Sequence, residues 1–388
     1  MMMPRVARRQ GGEKVEGPKG SEVKVPQRLH LLLPFPVLGA AEEYGLTVAE
    51  GMARRGWRVT LGHSLHVSPP VDGHSVQASP VDTESLVAVA RWIAQERPRL
   101  LHVNQVFLPA LCVARLGRIH PVVVTAHTPA LESRLSRRGR LLQAIARGGV
   151  DRWIVLSERN RELMETSRGL EPGAVSVVFP GLPEERFREL PGALAARHRI
   201  ALESTSTLIG TVGRLSQQKR HDLLIEAVAL ASRQLPGLKL VIVGEGELET
   251  ATRRLAEERI PGQVNFTGYR PDAIELLPAF DVFAMSSDFE GLPFALLEAM
   301  AAGRPIVTTD VQGAGEAVRD GREGLVAPRR DPEALAAGIL TLARDKELAA
   351  RLGRAARERF LSEFTADQML DRTEALYREL LSGRGGGR

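Results

Sequence analysis

Two glutamates and two cations in this chain are spaced to handle a ligand that is both charged and rich in hydroxyls. Glu290 and Glu298 stand eight residues apart within the stretch 286–305. An ionised carboxylate is acceptor-only, so it suits sugar hydroxyls and repels phosphate. Arg214 and Lys219 share the Gly-containing stretch 213–219. A planar guanidinium fork beside a compact ammonium is what a diphosphate needs. Two solvated surface cations are the plain alternative. Two histidines also need weighing. His102 falls inside a strand pattern and reads as structural. His127 stands just past the apolar run 121–126, and ligands in doubly wound sheets gather at the carboxyl ends of strands.

The elements around these residues follow from the apolar pattern. The runs 281–285 and 305–308 read as strands with a short helix between them. Pro293 suits the first turn of that helix, where a missing N–H costs nothing. Leu296, Leu297 and Met300 can face a core, and Gly303 suits the exit. The start of such a helix attracts anions through its free N–H groups and its dipole. Arg214 and Lys219 lie likewise between a strand over 207–212 and a helix over 220–233.

The same alternation runs along the chain. Strands are expected over 29–33, 57–61, 100–104, 121–126, 153–156 and 175–179. Helices are expected over 42–55, 83–96, 109–116, 141–147 and 158–168. The charged, then small and polar stretch 184–206 reads as a linker. After it come a strand over 238–243 and helices over 332–344, 347–360 and 366–381. The 388 residues suit two domains, and the pattern is α/β throughout.

Composition narrows the function classes. The net charge of +5 is modest. Much of it lies in residues 1–28, a Gly-rich basic tail with no apolar run, which is expected to be disordered. That tail serves solubility or draws the chain loosely to anionic lipid. It lacks the apolar region of a signal peptide, and no stretch is apolar enough to span a membrane. Cys112 is the single cysteine. It reads as a buried packing residue and fits a reducing, cytoplasmic compartment, leaving open a peripheral contact at the inner face of the membrane. Aromatics are sparse and not interleaved with basic residues, so nucleic acid is not an expected partner. The Arg cluster at Arg134, Arg137, Arg138 and Arg140 reads as a solvated face. No Asp-x-Asp and no Cys/His cluster with metal-ligand spacing is present, so no metal site is expected.

The run from Glu290-Gly291-Leu292-Pro293 through Glu298 to Gly303-Arg304-Pro305, then 313–318 and 320–326, resembles the signature of the family-4 retaining glycosyltransferases. That resemblance implies the GT-B fold, two Rossmann-like doubly wound domains facing a central cleft. It places a first, acceptor-side domain at 29–190, a nucleotide-sugar domain at 200–362, and a terminal helix at 363–382 crossing back onto the first domain. It implies a nucleotide-diphosphate sugar as donor (a UDP- or GDP-hexose), no other cofactor, and a glycan or lipid-linked acceptor of polysaccharide or lipopolysaccharide biosynthesis. Arg214 and Lys219, with Gly291 and Leu292, would hold the diphosphate, and Glu298 the ribose. Glu290 and His127 would contact the transferred sugar, with Glu316 a weaker candidate. The stretch 264–270 resembles the base-contacting element, which makes Tyr269 and Arg270 candidates for stacking on a base. The family's Gly-Gly-x-Glu is replaced here by Gly39-Ala40-Ala41-Glu42, where Ala40 cannot take a positive φ without strain. Residues 179–183 resemble a hinge-proximal turn, with Pro180 in place of Asn.

The resemblance implies attack by an acceptor hydroxyl on the anomeric carbon from the front face, with the leaving phosphate as base. The diphosphate charge then falls to Arg214, Lys219 and helix N-termini. Two other readings are a GT-B sugar-nucleotide epimerase and a non-catalytic nucleotide-sugar-binding homologue.

Overall fold

The computed structural model describes residues 27–34, 39–65, 69–71, 75–127, 148–202 and 206–383. The expected helix over 141–147, the Arg134–Arg140 cluster and nearly all of the basic tail lie outside them. The first domain runs β1 (Arg28–Leu33), α1 (Ala40–Arg54), β2 (Arg58–Ser64), β3 (Val76–Val81), α2 (Leu86–Glu96), β4 (Leu101–Asn104), α3 (Leu108–Leu116), β5 (Val122–Ala126), β6 (Arg152–Val155), α4 (Glu158–Arg168) and β7 (Val175–Val177). The second runs α5 (Ala193–His198), β8 (Thr207–Val212), α6 (His221–Ser232), β9 (Leu238–Val243), α7 (Glu249–Arg259), β10 (Val264–Gly268), α8 (Ala273–Leu276), β11 (Val282–Met285), α9 (Phe294–Ala301), β12 (Ile306–Thr309), α10 (Gln312–Ala317), β13 (Leu325–Ala327), α11 (Pro332–Arg344) and α12 (Lys346–Glu363). A last helix, α13 (Ala366–Ser382), follows.

Each domain is built on one parallel sheet. The orders are β3-β2-β1-β4-β5-β6-β7 and β10-β9-β8-β11-β12-β13. Central strands such as β5 and β9 read as near-continuous apolar runs because helices cover both faces. In both sheets the order reverses beside the first strand, between β1 and β4 and between β8 and β11. These switch points open crevices at the strand ends. The described loop residues that leave them are 34, 39 and 105 in one domain, and 213–220 and 286–293 in the other.

Three details differ from the sequence pattern. β3 (VQASPV) has no apolar run and includes Pro80, which suits only a sheet edge. Helix α2 starts three residues later than expected, where Ser85 caps it by accepting the Ala88 N–H at 3.2 Å. Cys112 is half-buried rather than buried.

The stretch 184–206 is largely structured. It carries a 3-10 turn at Glu184–Phe187 and helix α5. Arg197 of α5 is buried and donates to Asp281 at 2.7 Å and to the Ala279 carbonyl at 3.3 Å, which fastens α5 to the second domain.

Helix α13 packs on the first domain, against α1. Trp57 donates to Glu374 at 3.1 Å, and Arg55 pairs with Asp371 at 2.7 Å. Tyr377 is fully buried and its hydroxyl lies 2.5 Å from His102 Nδ1, while His102 Nε2 meets Thr125 at 2.8 Å. His102 is thus structural: burial pushes its imidazole down to about 3. The chain enters α13 beside the turn at 180–183, with Leu182 and Phe364 joined N–H to carbonyl at 3.0 Å. Removing the Tyr377 hydroxyl should leave a buried imidazole nitrogen unpaired. We expect Tyr377→Phe to cost about 1–3 kcal/mol and Tyr377→Ala about 3–5 kcal/mol, read from denaturant midpoints. Equal midpoints for Tyr377→Phe and the unaltered chain would remove the His102 bond from the account.

Candidate active site

The crevices of the two sheets face each other across a cleft of about 720 Å³. Gly39, Ala40, Ala41, Gln105 and His127 form one wall. The stretches 212–214, 216–219 and 289–295, with Glu247, form the other. Arg214, Lys219, Glu290, Gly291, Leu292, Gly39, Ala40 and His127 therefore meet in one place, although the sequence separates them by up to 253 residues (292 − 39).

Backbone contact brings the walls together. A Cβ on Gly291 would overlap the His127 carbonyl oxygen, and one on Gly313 would overlap the Gly291 carbonyl. Both positions need glycine for close approach, not for conformation. Pro293 is the N-cap of α9 rather than its first residue, so the helix starts at Phe294 with Gly291 and Leu292 just ahead of it. Gly303 takes φ +64° past the helix end, as expected.

The two phosphate candidates differ. Arg214 is exposed in the cleft, and among the described residues its guanidinium has no partner. It lies close enough to Glu42 to favour that carboxylate's ionised form. Lys219 is held: its Nζ donates to Glu290 Oε1 at 2.6 Å. An ammonium has three donors, so two remain for an anion. Glu290 is buried and also accepts from the Ser287 hydroxyl at 2.8 Å and from Gln218 at 3.2 Å. The Ser286 hydroxyl donates to the Arg220 carbonyl at 2.8 Å, and Asp288 N–H donates to the Gln218 carbonyl at 2.9 Å. Both switch-point loops of the second domain are thereby locked to each other.

Glu298 lies one helical turn beyond Ala295, which lines the cleft, so it continues the same face of α9. Burial pushes its carboxyl up to about 7; the Glu43 carboxylate adds to this, and Arg186 and Lys219 oppose it. On the facing wall, Ala40 opens α1 with a negative φ. The loop therefore needs no second glycine. Gly39 N–H donates to Glu42 Oε2 at 3.1 Å, and Gln105 Nε2 donates to Glu42 Oε1 at 3.3 Å. Burial raises the Glu42 carboxyl, against the pull of the Gly39 N–H bond and Arg214.

Three candidates sit elsewhere. Tyr269 is exposed and Arg270 forks onto Asp272 at 2.7 Å, both beyond the cleft lining at the carboxyl end of edge strand β10. Glu316 does different work: it accepts from the Glu158 and Arg159 N–H groups at 2.7 and 2.8 Å, capping α4 across the domain boundary. Arg159 adds a pair with Asp310 at 2.7 Å. Sequence reasoning missed Asn104, Gln105 and Gln218. Gln105 could have been found from its place just past a strand end.

Two facing Rossmann-like domains with a polar cleft between them define the GT-B class of architecture. The model for Glycosyltransferase Family 4 matches residues 41–186, and that for Glycosyl transferases group 1 matches 195–359. The chain belongs to the family-4 glycosyltransferases. It is 32% identical over 189 residues to the lipopolysaccharide core biosynthesis glycosyltransferase LpsE of Rhizobium meliloti (strain 1021), covering 48% of this chain and 53% of that one. The chain thus spans about half the length of LpsE. It is 25% identical over 311 residues to the Escherichia coli UDP-Gal:alpha-D-GlcNAc-diphosphoundecaprenol alpha-1,3-galactosyltransferase, covering 77% of this chain and 80% of that one. The solved structure of HepE from Anabaena, in complex with UDP and glucose, superimposes with a TM-score of 0.79 at 20% identity, over 91% of this chain and 100% of that one. Among the described residues no helix is long and apolar enough to cross a membrane.

The raised Glu298 carboxyl has a consequence for stability. A group whose pKa rises on folding favours the folded state when protonated, and loses that advantage as pH climbs from its unfolded to its folded value. Here the window is pH 4.5 to about 7. Glu298→Gln should therefore melt above the unaltered protein at pH 8 and level with it at pH 4. A melting difference independent of pH would refute the assignment.

Proposed function

We propose that this chain moves a hexose from a nucleotide-diphosphate sugar to a hydroxyl of a glycan or lipid-linked acceptor, with retention of configuration and without a metal ion. The observation that carries this reading is the composition of the cleft. Arg214, unpaired among the described residues, the Lys219 ammonium and the start of α9 stand together on one wall, opposite His127, Gln105 and the Gly39–Ala40 turn. Such a wall suits a diphosphate. The LpsE and Escherichia coli relatives are named for glycosyl transfer, the latter from UDP-Gal to a diphosphoundecaprenol-linked sugar. HepE binds UDP and glucose. These relatives support the choice of donor and acceptor class.

In this reading the bond between the anomeric carbon and the diphosphate oxygen breaks as the acceptor oxygen bonds to that carbon from the same face. The acceptor proton passes to the departing diphosphate. Arg214 and Lys219 meet the charge that develops on the leaving group, where preorganised donors act most strongly. Glu290 is fixed by Lys219, Ser287 and Gln218 and presents its remaining lone pairs to sugar hydroxyls. Glu298 takes the ribose hydroxyls. Tyr269 and Arg270 would reach a base only if Arg270 left Asp272.

Arg214→Ala tests the reading most cleanly, because among the described residues no hydrogen-bond partner is orphaned by it. Affinity for the nucleotide diphosphate should fall by roughly tenfold to a hundredfold, the size of a charged hydrogen bond. Lys219→Ala would also strand the buried Glu290. Calorimetry with UDP and GDP checks this; unaltered affinity for whichever binds would dismiss Arg214 from the clamp.

Transfer should also survive EDTA, since side chains and a helix end carry the cationic role. Loss on chelation, restored by magnesium or manganese, would overturn the metal-free part. Product analysis without acceptor separates the transferase from an epimerase, which would release the epimeric sugar nucleotide.

A further inference from the structure

Asn104 ends β4 at the switch point of the first sheet, and its side chain is fully buried. The two ends of its amide have different partners. Nδ2 donates to the Ala41 carbonyl at 2.6 Å, and Oδ1 lies 2.9 Å from His127 Nε2. A carbonyl oxygen only accepts, so turning the amide round would set oxygen against oxygen. Oδ1 therefore faces the imidazole, and Nε2 must supply the hydrogen. In a neutral ring the other nitrogen then keeps its lone pair. Burial holds the ring neutral by pushing it down to about 3. The ring plane is set edge-on against Tyr44, with centroids 5.1 Å apart. Among the described residues nothing hydrogen-bonds to His127 Nδ1, and it is not one of the atoms sealed from solvent without a partner. His127 lines the cleft.

We propose that Asn104 is a positioning residue that fixes His127 as the Nε2–H tautomer, so that Nδ1 accepts a hydrogen bond from a hydroxyl of the bound sugar. This rests on the reading of the cleft as a nucleotide-sugar site. The anchor for the whole arrangement is the Ala41 carbonyl, in the first turn of α1. The turn that carries Gly39 and Ala40 thus sets the hydrogen-bonding sense of a histidine just past the end of another strand. A lone pair held in this way prefers a sugar with a hydroxyl at that place to its deoxy analogue, because the deoxy sugar leaves a buried acceptor unpaired.

The test begins with the unliganded full chain, labelled with ¹⁵N-histidine and examined by long-range ¹H–¹⁵N spectra at pH 7.5. His127→Gln identifies the His127 signals by their loss. Nε2 should be the protonated nitrogen and Nδ1 the bare one; the reverse tautomer would overturn the proposal without any variant of Asn104. Asn104→Leu should then mix the tautomers. It should also weaken UDP-glucose or GDP-mannose, whichever binds, by about tenfold, the size of one hydrogen bond, while UDP or GDP alone binds as before. Equal weakening of nucleotide and nucleotide sugar would show Asn104 to be merely structural and would also overturn the proposal. If none of the four nucleotides binds while the tautomer is as assigned, the donor reading fails and the positioning role of Asn104 stands.

Discussion

The close passage of backbone at Gly291 is the constraint on which the rest of the site depends. The His127 carbonyl packs on it from one domain and Gly313 from within its own, with no room for a Cβ at either glycine. This contact sets how near the two sheets stand, and so how wide the cleft is. It also puts the start of α9 opposite the end of β5. The Asn160 amide reaching the Gly291 carbonyl, the Glu316 cap on α4 and the Arg159–Asp310 pair all lie around it. These polar links cross the domain boundary in the same small region, the Asn160 bond buried and the Glu316 and Arg159–Asp310 links at its exposed rim.

Around that contact the charges are arranged unequally. Lys219 and Glu290 neutralise each other at the base of the second wall, and Ser287 and Gln218 complete the shell of the carboxylate. A buried carboxylate without such partners would be costly. Arg214 has no hydrogen-bond partner among the described residues and lines the cleft, so its charge faces the space a ligand would occupy. On the first wall burial pushes the His127 imidazole down, which keeps that ring neutral, and pushes the Glu42 carboxyl up against the pull of the Gly39 N–H bond and Arg214. One wall is therefore suited to anions and the other to hydroxyls.

The closing segment couples this site to the hinge. The turn at 180–183 and the entry to α13 cross side by side, with paired backbone bonds between Leu182 and the segment 364–366. Helix α13 then lies on the first domain through Tyr377 and Glu374. Arg186, beside the same crossing, pairs with Glu43 on α1 and faces Glu298 on α9. The geometry of the cleft is thus tied to both places where the chain passes between domains.

The sequence by itself determined the strand–helix alternation, the two-domain plan and most of the cleft loops, because buried parallel strands demand apolar runs and switch-point loops must follow them. Glu290, Arg214, Lys219 and His127 were legible for that reason: each lies just past such a run. Strand β3 was not, because an edge strand needs no continuous apolar pattern. Tertiary structure alone decided what each polar group meets. Nothing in the spacing says that Glu290 binds Lys219, that Glu316 caps a helix of the other domain, or that Arg270 folds back onto Asp272. Nor could it show that Asn104 orients His127 from 23 residues away. Hydrogen bonds act over about 3 Å, and the distances that matter to them are fixed only when the two sheets, and the domains built on them, have come together.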